Sequence, residues 1–199
     1  MRRLALFIVI LLLTACAQQP KRPTVSDAVD AKKWTQHAKS LEKISRWQLQ
    51  GRIGIRSPDR ALSASIVWQQ HQESFDIRLS GPFGQGALQL NGNPAQMTLL
   101  RGQERITSDK PQQQLNQELG TFLPLNQARY WATGHPGQVQ TMQHARFDQE
   151  SRLESFEAEG WHISYRDYRP IQTLELPHKI VLENEDNKIT LVVNSWEID

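Results

Sequence analysis

The chain is 199 residues long, 38% apolar and 22% charged, a composition that excludes a disordered polymer and fits one folded domain or two small ones. Its 23 Lys and Arg against 21 Asp and Glu leave a formal charge of +2, which excludes the basic footprint of a nucleic-acid binder. With one cysteine, Cys16, there is no internal disulfide, and the fold must rest on its core.

The chain opens on Met1-Arg2-Arg3, and Leu4 to Leu13 is an unbroken apolar run. Ten residues are too few for a membrane-spanning helix, which needs about 20. A basic start and a short apolar middle match a signal peptide. The run ends Leu13-Thr14-Ala15-Cys16, which resembles the lipobox of bacterial lipoproteins. That resemblance implies a removable signal at residues 1–15 and a mature chain that begins at Cys16, acylated on its sulfur and amine. The alternative is a secretory signal with an incidental cysteine. Removing the first 15 of 199 residues leaves 184 and takes away two of the 23 basic residues, so 21 remain against 21 acidic. The mature chain is neutral, so its anchor is two or three acyl chains rather than net charge. Ala17 stands where an Asp would resemble an inner-membrane retention signal, which favours delivery to the outer membrane. Residues 16–25 form the lipidated N-terminus and a polar, Pro-punctuated tether, and 26–199 a single domain.

Ser26 to Ile44 is expected as one helix, with Ser26 as N-cap and Asp27 in its first turn. Trp34, Ala38, Leu41 and Ile44 make one narrow apolar stripe, suited to a helix lying on a surface or over an opening. From Arg46 the period falls to two. Trp47, Leu49, Gly51, Ile53 and Ile55 alternate with polar residues and Gly54, the pattern of a half-buried antiparallel strand. After the turn at Ser57-Pro58-Asp59, Leu62, Ala64, Ile66 and Trp68 continue the alternation, then Phe75, Ile77 and Leu79. Gly81-Pro82-Phe83-Gly84 leads to Leu88 and Leu90, and Asn91-Gly92-Asn93-Pro94 is a strong turn signal before Met97 and Leu99. Ile106 marks a short sixth strand. Connections this short leave no room for helical crossovers, so the strands form a meander. Two short helices follow, one opened by Pro111 and closed at Gly120, the other running from Pro124 to Gly134. Strands resume at 139–147, 152–159, 161–168, 171–183 and 188–198, with a hairpin turn at 184–187. The total is about eleven strands.

A long meander with one apolar face must bury it, by curling into a barrel or by folding into a sandwich. Helices inserted mid-meander suggest a lid over a curved sheet, which encloses an apolar cavity or fills as an ordinary core. The residues carry a further resemblance. Trp47 with Gly51-Arg52-Ile53-Gly54, Arg56-Ser57-Pro58, Trp68-Gln69-Gln70 and Leu79-Ser80-Gly81-Pro82-Phe83-Gly84 are similar to the LolB family. So are Pro124-Leu125 ahead of Trp131, Gly134-His135-Pro136-Gly137, Gly160-Trp161 before Tyr165 and Tyr168, and the closing Trp196. The resemblance implies a mainly β fold with an α lid: an incomplete, half-open antiparallel barrel with helices over an apolar cavity. It also implies an outer-membrane lipoprotein that takes lipoproteins from the periplasmic carrier LolA, holds their acyl chains and inserts them into the inner leaflet of the outer membrane. A monomer without cofactor is expected.

In that family the loop matching Gly81, Pro82, Phe83 and Gly84 carries a protruding apolar residue that puts cargo into the membrane. Two glycines and a proline enforce a tight turn here, with Phe83 its one large side chain. Trp68 and Trp131, with Ile53, Ile55, Ile66, Leu79, Leu88, Leu90 and Leu99, are the candidate walls of the acyl cavity. Lining and core look alike in a period-two pattern. Trp47 and Trp196 are read as packing residues.

The six histidines (37, 71, 135, 144, 162 and 178) show no paired metal spacing, and no G-x-S-x-G elbow is present. Glu150, Glu154, Glu157 and Glu159 cluster, with Glu157 and Glu159 expected on one solvated strand face. Neither an enzyme nor a metal site is expected. Two readings remain: a lipid-binding transfer receptor, or a structural envelope lipoprotein with a dry core that binds protein or polymer through its surface.

Overall fold

The computed structural model describes residues 30–81, 86–120, 122–137 and 141–199. The signal, Cys16 and the tether, and Pro82, Phe83 and Gly84 of the loop, lie outside the described residues. The order is α1 (Ala31–Glu42), β1 (Arg46–Ser57), β2 (Arg60–His71), β3 (Ser74–Ser80), β4 (Leu88–Gly92), β5 (Met97–Arg101) and β6 (Glu104–Ser108). Then come α2 (Pro111–Leu119), α3 (Leu125–Ala132), β7 (Gln143–Phe147), β8 (Leu153–Ala158), β9 (Trp161–Ile171), β10 (Leu174–Glu183) and β11 (Lys188–Ile198).

All eleven strands form one antiparallel sheet in the order β6-β5-β4-β3-β2-β1-β11-β10-β9-β8-β7. β1 pairs with β11, so the two ends of the sheet's chain meet in its middle. β6 and β7 are its edges, and the barrel is therefore incomplete. The expected half-open antiparallel architecture is the one found. Antiparallel order also sorts the turns. Those after β1, β3, β5, β8 and β10 share one end, the rim, and those after β2, β4, β7 and β9 share the other, the base.

Residue alternation decides the faces. In β1, Trp47, Leu49, Gly51 and Ile55 are buried while Arg46, Gln50, Arg52 and Arg56 are exposed. Leu153, Phe156, Trp161, Ile163, Ile180, Leu182, Leu191 and Val193 bury the same inner face on the far strands. Gly51 has a separate task. The β1–β11 register shifts between Gln50 and Gly51, and a Cβ on Gly51 would stand 2.1 Å from the Val192 carbonyl oxygen. Only a residue without a side chain lets the two backbones come this close.

The N-terminal helix starts at Ala31 and its cap is Asp30, a correction to the expected Ser26 cap. The Asp30 carboxylate accepts from the Lys32 and Lys33 amides at 3.0 and 3.1 Å. The helix ends at Glu42 rather than Ile44. It crosses the base. Ser151, in the turn between β7 and β8, accepts from the Asp30 amide at 3.2 Å. Trp34 packs edge-on against Phe147 at 5.1 Å, and Leu41 is 3% exposed in the core. The stripe expected to lie on a surface or over an opening turns Trp34 and Leu41 inward at the base of the barrel.

Two imidazoles are associated with α1: His37, half-buried on the helix itself, and His135, buried where it faces Glu42. His37 Nε2 has no hydrogen-bond partner. His135 accepts from the Gly137 amide at Nδ1 and presents Nε2 to Glu42 at 3.7 Å. Burial holds both below the usual histidine range. The Arg152 charge adds to this at His37 against the opposing pull of Glu175 and Asp148, and Glu42 opposes it at His135.

Two predictions follow from these contacts. Gly51→Ala forces the β1 and β11 backbones apart and should cost about 1–3 kcal/mol, a melting temperature lower by several degrees. Gly54→Ala, with its nearest atom 4.0 Å away, should stay within ~0.5 kcal/mol. Equal melting temperatures for the two variants would contradict this account. The histidines set a pH dependence. The unfolded chain takes up protons near pH 6.5 that the fold refuses, so stability is full above that pH and falls as pH drops below it. The urea midpoint should fall between pH 7.5 and 5.5, and the His37→Gln, His135→Gln double variant should flatten that slope. A slope unchanged in the double variant would clear these two residues.

Candidate functional site

The candidate site is the inner face of the sheet and the helices that cover it. Cross-strand register builds its walls. Leu49, Trp68, Ile77, Leu90, Leu99 and Ile106 stand in one row across β1 to β6, and Ile66, Leu79 and Leu88 in the next. All nine expected wall residues lie here. Ile55, Ile66, Leu79, Leu90, Leu99 and Trp131 are buried, and Ile53, Trp68 and Leu88 are half-buried. They fall in two apolar clusters that both touch Trp68, Ile77, Leu88 and Leu119.

The other half of the wall escaped the sequence reading. Phe156, Trp161, Ile163, Tyr165, Ile180 and Leu182 from β8 to β10 belong to the same buried cluster as Trp131. The signal was present, because residues 153–193 carry the same period of two. The Tyr165 phenol is buried within this half with no protein hydrogen-bond partner, and burial pushes its pKa well up. Burial raises Tyr168 as well, whose hydroxyl donates to the Leu153 carbonyl at 2.8 Å.

The indoles are anchored. Trp131 donates to the Pro136 carbonyl at 3.3 Å, Trp161 to the Phe122 carbonyl at 3.1 Å and Trp196 to the Pro177 carbonyl at 3.2 Å. Trp68 donates to Gln70 at 2.9 Å, and Gln70 in turn donates to the Gln72 carbonyl. Trp47 packs between Trp68 and Trp196, with ring centroids 5.0 and 5.4 Å away. Both Trp47 and Trp196 are buried in the main core cluster, as read from their phase.

α2 and α3 cover the β1–β6 half. Leu115, Leu119, Leu125 and Trp131 face the sheet clusters. Polar contacts fasten the helices at their margins. Arg129 donates to the Gln72 carbonyl at 2.7 Å and lies 3.6 Å from Glu73, both in the β2–β3 turn. Arg101 pairs with Glu118. Gln112 donates to the Leu123 carbonyl and accepts from the Leu125 amide, tying the two helices together. A crevice at the margin of α3, bounded by Trp68, Gln70, Glu73, Phe75, Pro94, Leu125, Asn126 and Arg129, holds about 10 Å³, room for no more than one water.

The rim differs. Leu62 is 40% exposed and Phe122 49%. Leu62 keeps the inward phase read from the sequence, opposite Ile55, but stands at the rim end of β2. Gly81, the first residue of the Phe83 loop, leaves the sheet at this same end.

The acidic cluster lies elsewhere. Glu157 is on the outer face, where His144 meets it at 2.8 Å and His162 at 4.0 Å. Glu159 is in the β8–β9 turn at φ 52°, so it does not share a strand face with Glu157 as expected. Among the described residues no group of three His, Cys, Asp or Glu is placed to hold a metal ion.

With this geometry in view, comparison with known proteins is direct. Residues 45–196 match the family model described as outer membrane lipoprotein LolB. The chain is 34% identical over 198 residues to the outer-membrane lipoprotein LolB of Pseudomonas syringae pv. syringae, covering 99% of this chain and 96% of that one. It is 35% identical to that of Stutzerimonas stutzeri over 94% of this chain and 91% of that one. A LolA superfamily protein from Nitrosomonas europaea shares the fold with a TM-score of 0.51 at 9% identity, over 86% of this chain and 94% of that one. By the span of the family match and the identity to these relatives, the chain belongs to the LolB family of outer-membrane lipoproteins.

Proposed function

We propose that the inner face is a receptacle for the acyl chains of lipoproteins, which the chain receives from LolA and passes to the outer membrane. A role in lipoprotein localisation at the outer membrane follows from family membership. The finer reading rests on one observation: a continuous apolar inner face covered by helices that polar contacts hold only at their margins, with apolar side chains exposed at the rim. Nothing in such a process requires bond chemistry. Acyl chains move between apolar surfaces, and each CH₂ is worth about 0.8 kcal/mol, so small differences of fit set the direction. A LolA-type donor with a related fold suits that exchange. Cys16 supplies the acylated anchor, and the 81–84 loop, which carries Phe83, the point of delivery into the inner leaflet.

The crevice of about 10 Å³ at the margin of α3 favours a second reading, a structural lipoprotein with a dry core. Acyl uptake under the first reading requires α2 and α3 to move, with acyl methylenes taking the place of side-chain contacts. The Cys16→Ala mature chain, incubated with a fluorescent fatty-acid analogue, should take it up, and Leu99→Glu should abolish uptake. Failure of the parent chain to bind the analogue leaves the dry-core reading standing. Phe83→Glu should accept acyl chains as the parent does and lower delivery to outer-membrane vesicles in a reconstituted transfer assay. Normal delivery by that variant removes the loop from the mechanism.

A further inference from the structure

The outer face of the sheet sorts its charge. Register places Arg166, Lys179, Val192, Arg52, Ser65 and Ser80 in one line across β9, β10, β11, β1, β2 and β3. The adjoining line toward the rim holds Arg146 opposite Ser155, then Ser164, Val181 and Thr190. Neither line contains a carboxylate. Three acids of this face stand beyond them and are engaged: Glu183 with Lys188, Glu157 with His144, Asp76 with Arg78. Asp167, beside Arg166, is held by Arg169 at 2.5 Å. Among the described residues no acid pairs with Arg52, Lys179, Arg166 or Arg146, and all four are exposed. Strand spacing of about 4.8 Å puts Arg166 and Arg52 roughly 14 Å apart, with Lys179 between them. Aligned like charges on neighbouring strands repel, which an anionic surface opposite them relieves.

We propose that this band is a docking surface for anionic phospholipid headgroups of the membrane to which the chain is anchored. The inference rests on the reading of Cys16 as the acylated anchor and of the 81–84 loop as the delivery point. Three observations favour lipid as the occupant. The line ends at Ser80, the residue before Gly81, two strands beyond its last cation, Arg52, so the band and the start of that loop share one register line of the sheet. Val192, 40% exposed, sits among the cations, an apolar side chain where a headgroup layer meets it. Thirteen residues separate Cys16 from Asp30, and at about 3.5 Å each they reach roughly 45 Å, enough to bring the band to the same leaflet. Acyl chains hold the molecule at the membrane; the band sets which face it turns there, through an attraction that fades within a Debye length of about 10 Å.

The test is co-sedimentation of the non-acylated Cys16→Ala mature chain with vesicles. Binding should be stronger to phosphatidylethanolamine vesicles containing phosphatidylglycerol than to phosphatidylcholine vesicles, and should weaken as salt rises. The triple substitution Arg52→Gln, Arg166→Gln, Lys179→Gln should weaken binding to the anionic vesicles at least tenfold. The charge-keeping Arg52→Lys, Arg166→Lys, Lys179→Arg should bind as the parent does. The proposal is overturned if the parent binds both vesicles equally, if the glutamine variant binds the anionic vesicles as the parent does, or if the charge-keeping variant loses binding too. Fatty-acid uptake, read on the same samples, separates the two ideas. Uptake with charge-indifferent vesicle binding overturns the band alone, and charge-dependent binding without uptake overturns the receptor reading alone.

Discussion

The structure depends on how a long one-sided sheet buries its apolar face without closing. Eleven antiparallel strands with inward apolar residues cannot leave that face in water. A closed barrel would satisfy every edge and fill its own middle. Here the sheet stops short of closure, and three helices supply what the missing pairing would have covered. α1 lies across the base, with Trp34 and Leu41 inward, and α2 and α3 lie over the β1–β6 half. The pairing of β1 with β11 puts the longest hydrogen-bonded ladders at the centre, far from both edges. Gly51 permits the close approach that this pairing needs.

That arrangement divides the molecule energetically. The sheet is held by directional backbone ladders, whereas the helices meet it through apolar contact, which is non-directional and indifferent to which apolar group fills the space. Under the proposed uptake, an acyl methylene takes the place of a leucine methyl at little net cost. What has to break is the set of polar ties at the margins, such as Arg129 to the Gln72 carbonyl, each worth about 0.5–1.5 kcal/mol net. Where a ligand takes over the apolar contacts, the cost of opening such a cover falls to these few hydrogen bonds rather than to the whole buried area.

Much of this was legible in the residues. Period-two alternation located the strands because one face of each is buried, and Pro111, Gly120 and Pro124 bracketed the two inserted helices. The helix cap was misread because Ser26 and Asp30 are both competent caps. A tertiary contact, Ser151 to the Asp30 amide, lies 121 residues away and leaves no local trace. Leu62 kept the inward phase but not the burial, since phase says nothing of how far the cover extends along a strand. The wall was half found: the readings stopped at Leu99 and Trp131, although Ile163 and Ile180 obey the same alternation. The basic band was invisible, because Arg52, Arg166 and Lys179 become neighbours only through register across β1, β11, β10 and β9. A near-neutral total concealed a segregated surface.

The unpaired edges β6 and β7 carry one more consequence. In a closed barrel, strand number and shear fix the circumference in discrete steps, and widening it means breaking a ladder along its full length. Here the circumference is interrupted between β6 and β7, and α2 and α3 lie between these two strands in the chain. Among the described residues no ladder joins β6 to β7, so parting these edges by small amounts would break no strand pairing. Under the proposed acyl-binding reading, such parting would let one interior suit chains of different number and length without a separate conformation for each.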